Sequence, residues 1–185
     1  NKNTVDLMGN FNPTPPATPL PPFEIDCADA PKNPQDGQKF GECDKEEICG
    51  KIAAMEAERQ NGTLMRTRKH SDAVYNAERA AGDAICDRIN NHARNGRGAD
   101  GFGEPEDLGF HDMSDGCLEY KKQKAADQNY QGFSPDHRHE IQLGGHPTDP
   151  SNLVWMESKT NSWIGGQFSH YDPDVQGEIS GNCCD

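Results

Sequence analysis

Apolar residues recur at helical spacing in three stretches of the chain, and a fourth stretch holds two short apolar runs divided by a glycine pair. Over residues 44 to about 60, Ile48, Ile52 and Met55 share one face. Asp44 suits a cap, Glu46 and Glu47 suit the first turn, and Asn61-Gly62 ends the pattern. A longer helix is predicted from residue 71 to about 95, with Val74, Ala77, Ala81, Ile85 and Ile89 on its stripe and Gly96 as the stop. A third, from 114 to about 129, starts at Ser114 as cap and turns Leu118 and Tyr120 toward the core. Beyond it, 140–143 reads as a strand, Gly144-Gly145 as a turn and 153–156 as a returning strand. A short helix over 157 to about 164 follows, ended by Gly165-Gly166. Helices that precede a hairpin rather than alternate with strands predict an α+β fold, a helical platform under a small hairpin and helix.

Four segments follow from this pattern. Residues 1–43 read as a Pro-rich linker and an irregular segment, because 11–22 hold six prolines in twelve positions. Residues 44–130 form a partly basic helical platform, 131–170 carry the chemistry, and 171–185 are an acidic C-terminal tail. The first residue is Asn rather than Met, so a piece of a longer carrier polypeptide is expected. No run of about 18 apolar residues occurs, which argues against a membrane-spanning helix.

Seven cysteines without a Cys-x-x-Cys pair argue for disulfides and an oxidising compartment rather than a zinc ribbon. The odd count leaves one over, and Cys183 or Cys184 is the candidate. A net charge of −13 opposes nucleic-acid binding, but the acid is unevenly spread. Residues 121–170 balance at 5 positive and 5 negative, and 64–99 carry 7 and 4. Arg66, Arg68, Lys69, Arg88, Arg94 and Arg97 form one candidate phosphate-binding strip, joined by Lys121, Lys122 and Lys124. Arg138 and Lys159 add to it within the chemical segment, while His70, His92 and His111 are expected at the surface or at caps.

That segment, SPDHRHEIQLGGHPTDPSNLVWMESKTNSWIGGQ, sets Asp136-His137, Gly144-Gly145, Asn152 and Asn161 in order. Imidazole is a suitable base at neutral pH, and Asp and Asn oxygens suit a hard divalent cation. A regular strand would turn Asp136 and His137 to opposite faces, so an irregular start at Pro135 is expected. His139 shares a face with His137 and is the rival base, while His146 and His170 read as loop residues.

In these residues the chain resembles the HNH, or ββα-metal, endonucleases, and most of all the HNH toxin domains at the C-termini of bacterial polymorphic toxins and type VI secretion effectors. The likeness covers about 35 residues. It implies Asp136 and Asn161 as metal ligands, His137 as general base and Asn152 as the brace of the hairpin. It further implies Mg²⁺, with Mn²⁺ or Zn²⁺ as lesser alternatives, and DNA as substrate, with RNA left open. A cognate immunity protein and secretion into a target bacterium complete what it implies. The alternative is a disulfide-stapled secreted binding module whose HNH-like segment is inactive.

Overall fold

A computed structural model describes residues 18–30, 41–66, 73–78, 80–82, 84–85, 108–127 and 132–184. Its elements are β1 (Phe23–Ile25), α1 (Glu42–Gln60), α2 (Asp115–Ala126), β2 (Phe133–His137), β3 (Leu153–Glu157), α3 (Ser158–Phe168) and β4 (Ile179–Gly181). Helices and two small sheets together make this an α+β fold. β2 and β3 form an antiparallel hairpin, and α3 follows β3 with no intervening loop.

α1 begins two residues earlier than its pattern suggests. Asp44 acts from the third helical position, accepting a hydrogen bond from the Gly41 N–H at 3.1 Å. Ile48, Ile52 and Met55 are buried as expected, and the chain turns out at Gly62, φ +70°. Glu47 and Lys51 are buried on the same face. Hydrophobic periodicity understated that face, because two of its six buried positions are charged residue types. Gly50 lets another segment approach α1: a Cβ there would overlap the Asp112 carbonyl oxygen and crowd the Cβ of His111.

Of the described positions in the stripe predicted for the second helix, Ile85 alone is buried. Helical residues 73–78, 80–82 and 84–85 bury Tyr75, Gly82 and Ile85, whereas Val74 is exposed and so are Ala77 and Ala81. Ile89 and Gly96 lie outside the described residues. Ser114 caps α2 as expected, its Oγ accepting from the Cys117 N–H at 3.4 Å. That helix ends at Ala126, and Tyr120 points outward rather than into the core. α3 also departs from its pattern, running through Gly165-Gly166 to Phe168.

β3 is buried along its whole length, which explains its unbroken apolar run. Met156 on one face joins Ile48, Ile52, Met55, Ile164 and Phe168, while Leu153 and Trp155 on the other pack with Phe110 and Ile85. The hairpin therefore separates two small cores. The first core extends to β1 and β4, paired in parallel with Phe23 opposite Ile179.

That pairing corrects the expected termini. Residues 23–25 are a strand rather than irregular linker, and 171–185 are no free tail, since Tyr171 is fully buried and Ile179 is 3% exposed. Disulfides join Cys27 to Cys183, Cys43 to Cys117 and Cys49 to Cys184. Both terminal cysteines are thus bonded, contrary to the expectation that one is spare, and Cys86 lies outside the described residues. Such bonds persist in an oxidising setting. No helix among the described residues is long and apolar enough to cross a membrane.

Candidate functional site

β2 is regular, not irregular as expected at Pro135. Every residue from Phe133 to His137 is in register with β3, Asp136 opposite Val154 and His137 opposite Leu153. Proline lacks an N–H, and in a two-stranded ladder Pro135 can turn that side away from its partner. The consequence is that Asp136 is 2% exposed and points inward, while His137 faces the other way and is half-buried.

Residues 138–152, between the strands, are closed by one side chain. Asn152 Oδ1 accepts from the His139 N–H at 2.8 Å, and Nδ2 donates to the carbonyls of His139 at 3.0 Å and His146 at 2.9 Å. These bonds are the brace foreseen for Asn152. Inside the loop, 141–143 form a 3-10 turn rather than a strand. Both glycines that follow are required: Gly144 has φ +104°, and a Cβ on Gly145 would overlap the His139 carbonyl oxygen. His146 is a loop residue, its Nδ1 accepting from the N–H groups of Thr148 and Asp149, and His170 is exposed.

The two candidate bases are held differently. His137 Nε2 lies 2.8 Å from the Pro147 carbonyl, so Nε2 carries the proton and donates, and Nδ1 keeps its lone pair. His139 Nε2 donates to the Leu143 carbonyl at 2.8 Å, and its Nδ1 lies 3.7 Å from Glu58 Oε2. Gly82 sits beside the His137 ring, where a Cβ would be 3.7 Å from Cε1.

Behind Asp136 is a buried ionic cluster absent from the sequence reading. Lys51 Nζ lies 3.0 Å from Asp136 Oδ2, 3.2 Å from Oδ1 and 2.8 Å from Glu140 Oε1, and also donates to the His137 carbonyl. His111 Nε2 donates to Asp136 Oδ2 at 2.7 Å. Burial opposes the ammonium of Lys51, but Asp136 and Glu140 outweigh it and raise its pKa. Burial likewise opposes ionisation of Asp136, yet Lys51 and His111 hold its pKa below the ordinary value. Burial lowers the pKa of His111 despite the pull of Asp136, so its ring is neutral at pH 7. Its Nδ1 is buried with no partner among the described residues. His111 is therefore an internal residue, not the surface or capping residue expected.

The ligands foreseen for Mg²⁺ do not fit that ion as they are placed. Mg²⁺ takes oxygens at about 2.1 Å and keeps several waters. Both Asp136 oxygens are engaged by Lys51 or His111 in a site with almost no solvent exposure. Asn161 stands on α3 with its Nδ2 donating to Ser134 Oγ at 3.1 Å and the Pro135 carbonyl at 3.0 Å. These bonds tie α3 to β2, a bracing part.

Among the described residues, most of the expected phosphate-binding strip is engaged within the protein. Lys121 is fully buried against Asp44 at 2.5 Å, Glu47 at 3.3 Å and Glu157 at 3.4 Å, and Lys124 pairs with Glu157 at 2.8 Å. Both are engaged by acidic side chains of the protein itself. Arg66 donates to the Ser169 and Tyr171 carbonyls and Arg138 to the Phe110 carbonyl, so both act as struts. Lys122 and Lys159 are exposed. Arg68, Lys69, Arg88, Arg94 and Arg97, like His70 and His92, lie outside the described residues.

Glu47, in the Lys121 cluster, has a pKa pushed up to about 8, first by burial and then by Glu157 and Asp44, against the attraction of Lys121. Its proton is retained on folding, so its contribution to stability is full below the ordinary value near 4.5 and is lost as pH rises through about 8. One proton gives a slope of at most about 1.4 kcal/mol per pH unit. Glu47→Gln is expected to leave the melting temperature unchanged near pH 4.5 and raise it above pH 8. Parallel melting curves for both chains across that range would exclude this linkage.

No family model, curated protein or solved structure matches the chain.

Proposed function

We propose that the β2–β3–α3 unit is an HNH-type nuclease site that hydrolyses phosphodiester bonds of DNA, in a toxin domain released against competing bacteria. One observation carries this reading most directly. The histidine that follows Asp136, at the end of the first strand of a hairpin-and-helix unit, has its Nε2 committed to the Pro147 carbonyl, which leaves Nδ1 as the proton acceptor. In hydrolysis His137 Nδ1 removes a proton from water as its oxygen bonds to phosphorus, while the P–O3′ bond breaks and the leaving 3′ oxygen takes a proton from solvent; a well-placed base contributes about 10²- to 10⁴-fold. His139 is the weaker candidate, since its Nε2 is bonded and its Nδ1 faces Glu58. Asn152 holds the loop that supplies the Pro147 carbonyl. An immunity protein in the producing cell and a longer carrier are part of the same proposal. Comparison of Mg²⁺ with EDTA in the assay reports the requirement for a divalent ion.

The test is incubation with supercoiled plasmid, and separately with RNA, in Mg²⁺ and again in EDTA. Nicked or linear DNA from the unaltered chain, with at least about a hundredfold loss in His137→Ala, is the expected result. Intact plasmid under every condition, from protein shown to be folded, overturns it. The three disulfides favour a second reading, a stapled secreted binding module, which that negative result would support.

A further inference from the structure

We propose that Lys51 occupies the place which the HNH resemblance gives to a divalent ion, so that Asp136 is held by an internal ammonium and does not coordinate metal. The inference rests on the HNH reading of β2–β3–α3 but departs from its usual ligand set. Lys51 Nζ sits among the donors that a hard cation would seek: the carboxylates of Asp136 and Glu140 and the backbone carbonyl of His137. An ammonium has three protons, and here there are three acceptor groups to take them.

Three features keep it there. α1 delivers Lys51 from a face packed into the core, and its side chain is fully buried, with Nζ 5.9 Å from the centre of the Phe168 ring. There is no solvent-side position to which it can withdraw. His111 covers the remaining side of Asp136 through Nε2, and Gly50 on α1 lets the backbone of 111–112 come close enough to do so. A dication bound at Asp136 would have to share the carboxylate with Nζ and find room for its waters where Asp136 is 2% exposed. Lys51 also reaches the carbonyl of His137, so one cation fixes both the inward carboxylate and the backbone from which the outward imidazole projects. It is a positioning residue for His137.

Mn²⁺ is the probe, because its paramagnetism broadens nearby proton signals. Titrated into the unaltered chain, it is expected to leave the ring resonances of His111 sharp while any exposed histidine broadens first. In parallel, Mn²⁺ binding followed by electron paramagnetic resonance is expected to be unchanged in Asp136→Asn. Broadening of His111 ahead of the other rings, or loss of a Mn²⁺ site in Asp136→Asn, overturns the proposal. The first measurement needs no variant, so a poorly folded Asp136→Asn leaves it standing. Neither readout involves cleavage. A chain that keeps Mn²⁺ off Asp136 yet leaves DNA and RNA intact refutes the nuclease reading and not this one.

Discussion

Reduction of the three disulfides is expected to lower the melting temperature by about 15 °C or more and to leave the chain largely unfolded at 37 °C. Loss of a native disulfide in a small domain costs about 2–5 kcal/mol, and each kcal/mol is worth roughly 2–4 °C in a chain of this size. Here the three bonds close spans of 74, 135 and 156 residues. They overlap, so their effects do not simply add, but all three act on the same weak point. Each sheet has two strands, and only 32% of the residues are hydrophobic. Cys43–Cys117 holds α2 to α1, Cys49–Cys184 holds the C-terminus to α1, and Cys27–Cys183 holds β1 beside β4. Thermal melts followed by circular dichroism, with and without a phosphine reductant, decide the matter. A shift below about 5 °C would mean that the cores suffice alone. The result also bears on the nuclease reading, because DNA in a target cell lies in a reducing space, where the oxidised chain must either resist reduction or act before it.

Lys51→Met is expected to cost about 3–5 kcal/mol at pH 7, the usual penalty for removing one partner of a buried ion pair. Methionine nearly matches the stem of lysine, so the loss is one of charge more than of volume. Asp136 and Glu140 then face each other in a space closed to water, with His111 the remaining donor to Asp136. Without the ammonium, the burial that opposes ionisation of Asp136 has less to offset it, and the pKa of that carboxyl rises. Protonation then favours the folded variant, so its deficit is expected to shrink as pH falls from neutrality toward the ordinary carboxyl range. Urea unfolding at pH 7 and pH 4.5 measures both parts. A deficit below about 1 kcal/mol at pH 7, or one equally large at both pH values, would show that the cluster does not depend on Lys51 for its charge balance.

The parts of this molecule that could be read from sequence are those where one residue type has one physical use. Asn61-Gly62 stops a helix, Ser114 caps one, and Asn152 closes a loop, each by a local rule that owes nothing to distant residues. The run 153–156 was legible as a strand because it packs on both faces. The Lys51 cluster was not legible, since a lysine on the buried face of α1 looks like any exposed one until Asp136, 85 residues away, is known to lie against it. His111 gave no local signal at all. Its burial follows from Gly50, whose missing side chain admits the backbone of a distant segment. The alanines at 77 and 81 misled for a related reason: a small residue fits either face of a helix, and it was Tyr75 and Ile85 that set the phase. In the phosphate strip, a count of cations could not separate Lys121, bound by three acidic side chains, from exposed Lys122.

Cys183 and Cys184 are neighbours in the chain, yet they bond to partners that stand 22 residues apart, Cys27 and Cys49. The sulfurs of Cys49, Cys183 and Cys184 all lie within 4.8 Å of one another. An exchanged isomer, with Cys27 joined to Cys184 and Cys49 to Cys183, becomes reachable once an external thiolate opens either bond and frees a sulfur to attack the other. Oxidative folding of this chain has to discriminate between two pairings that differ by one position at its end, and an isomerase, by letting the bonds reshuffle, gives β1 and β4 time to select the right one.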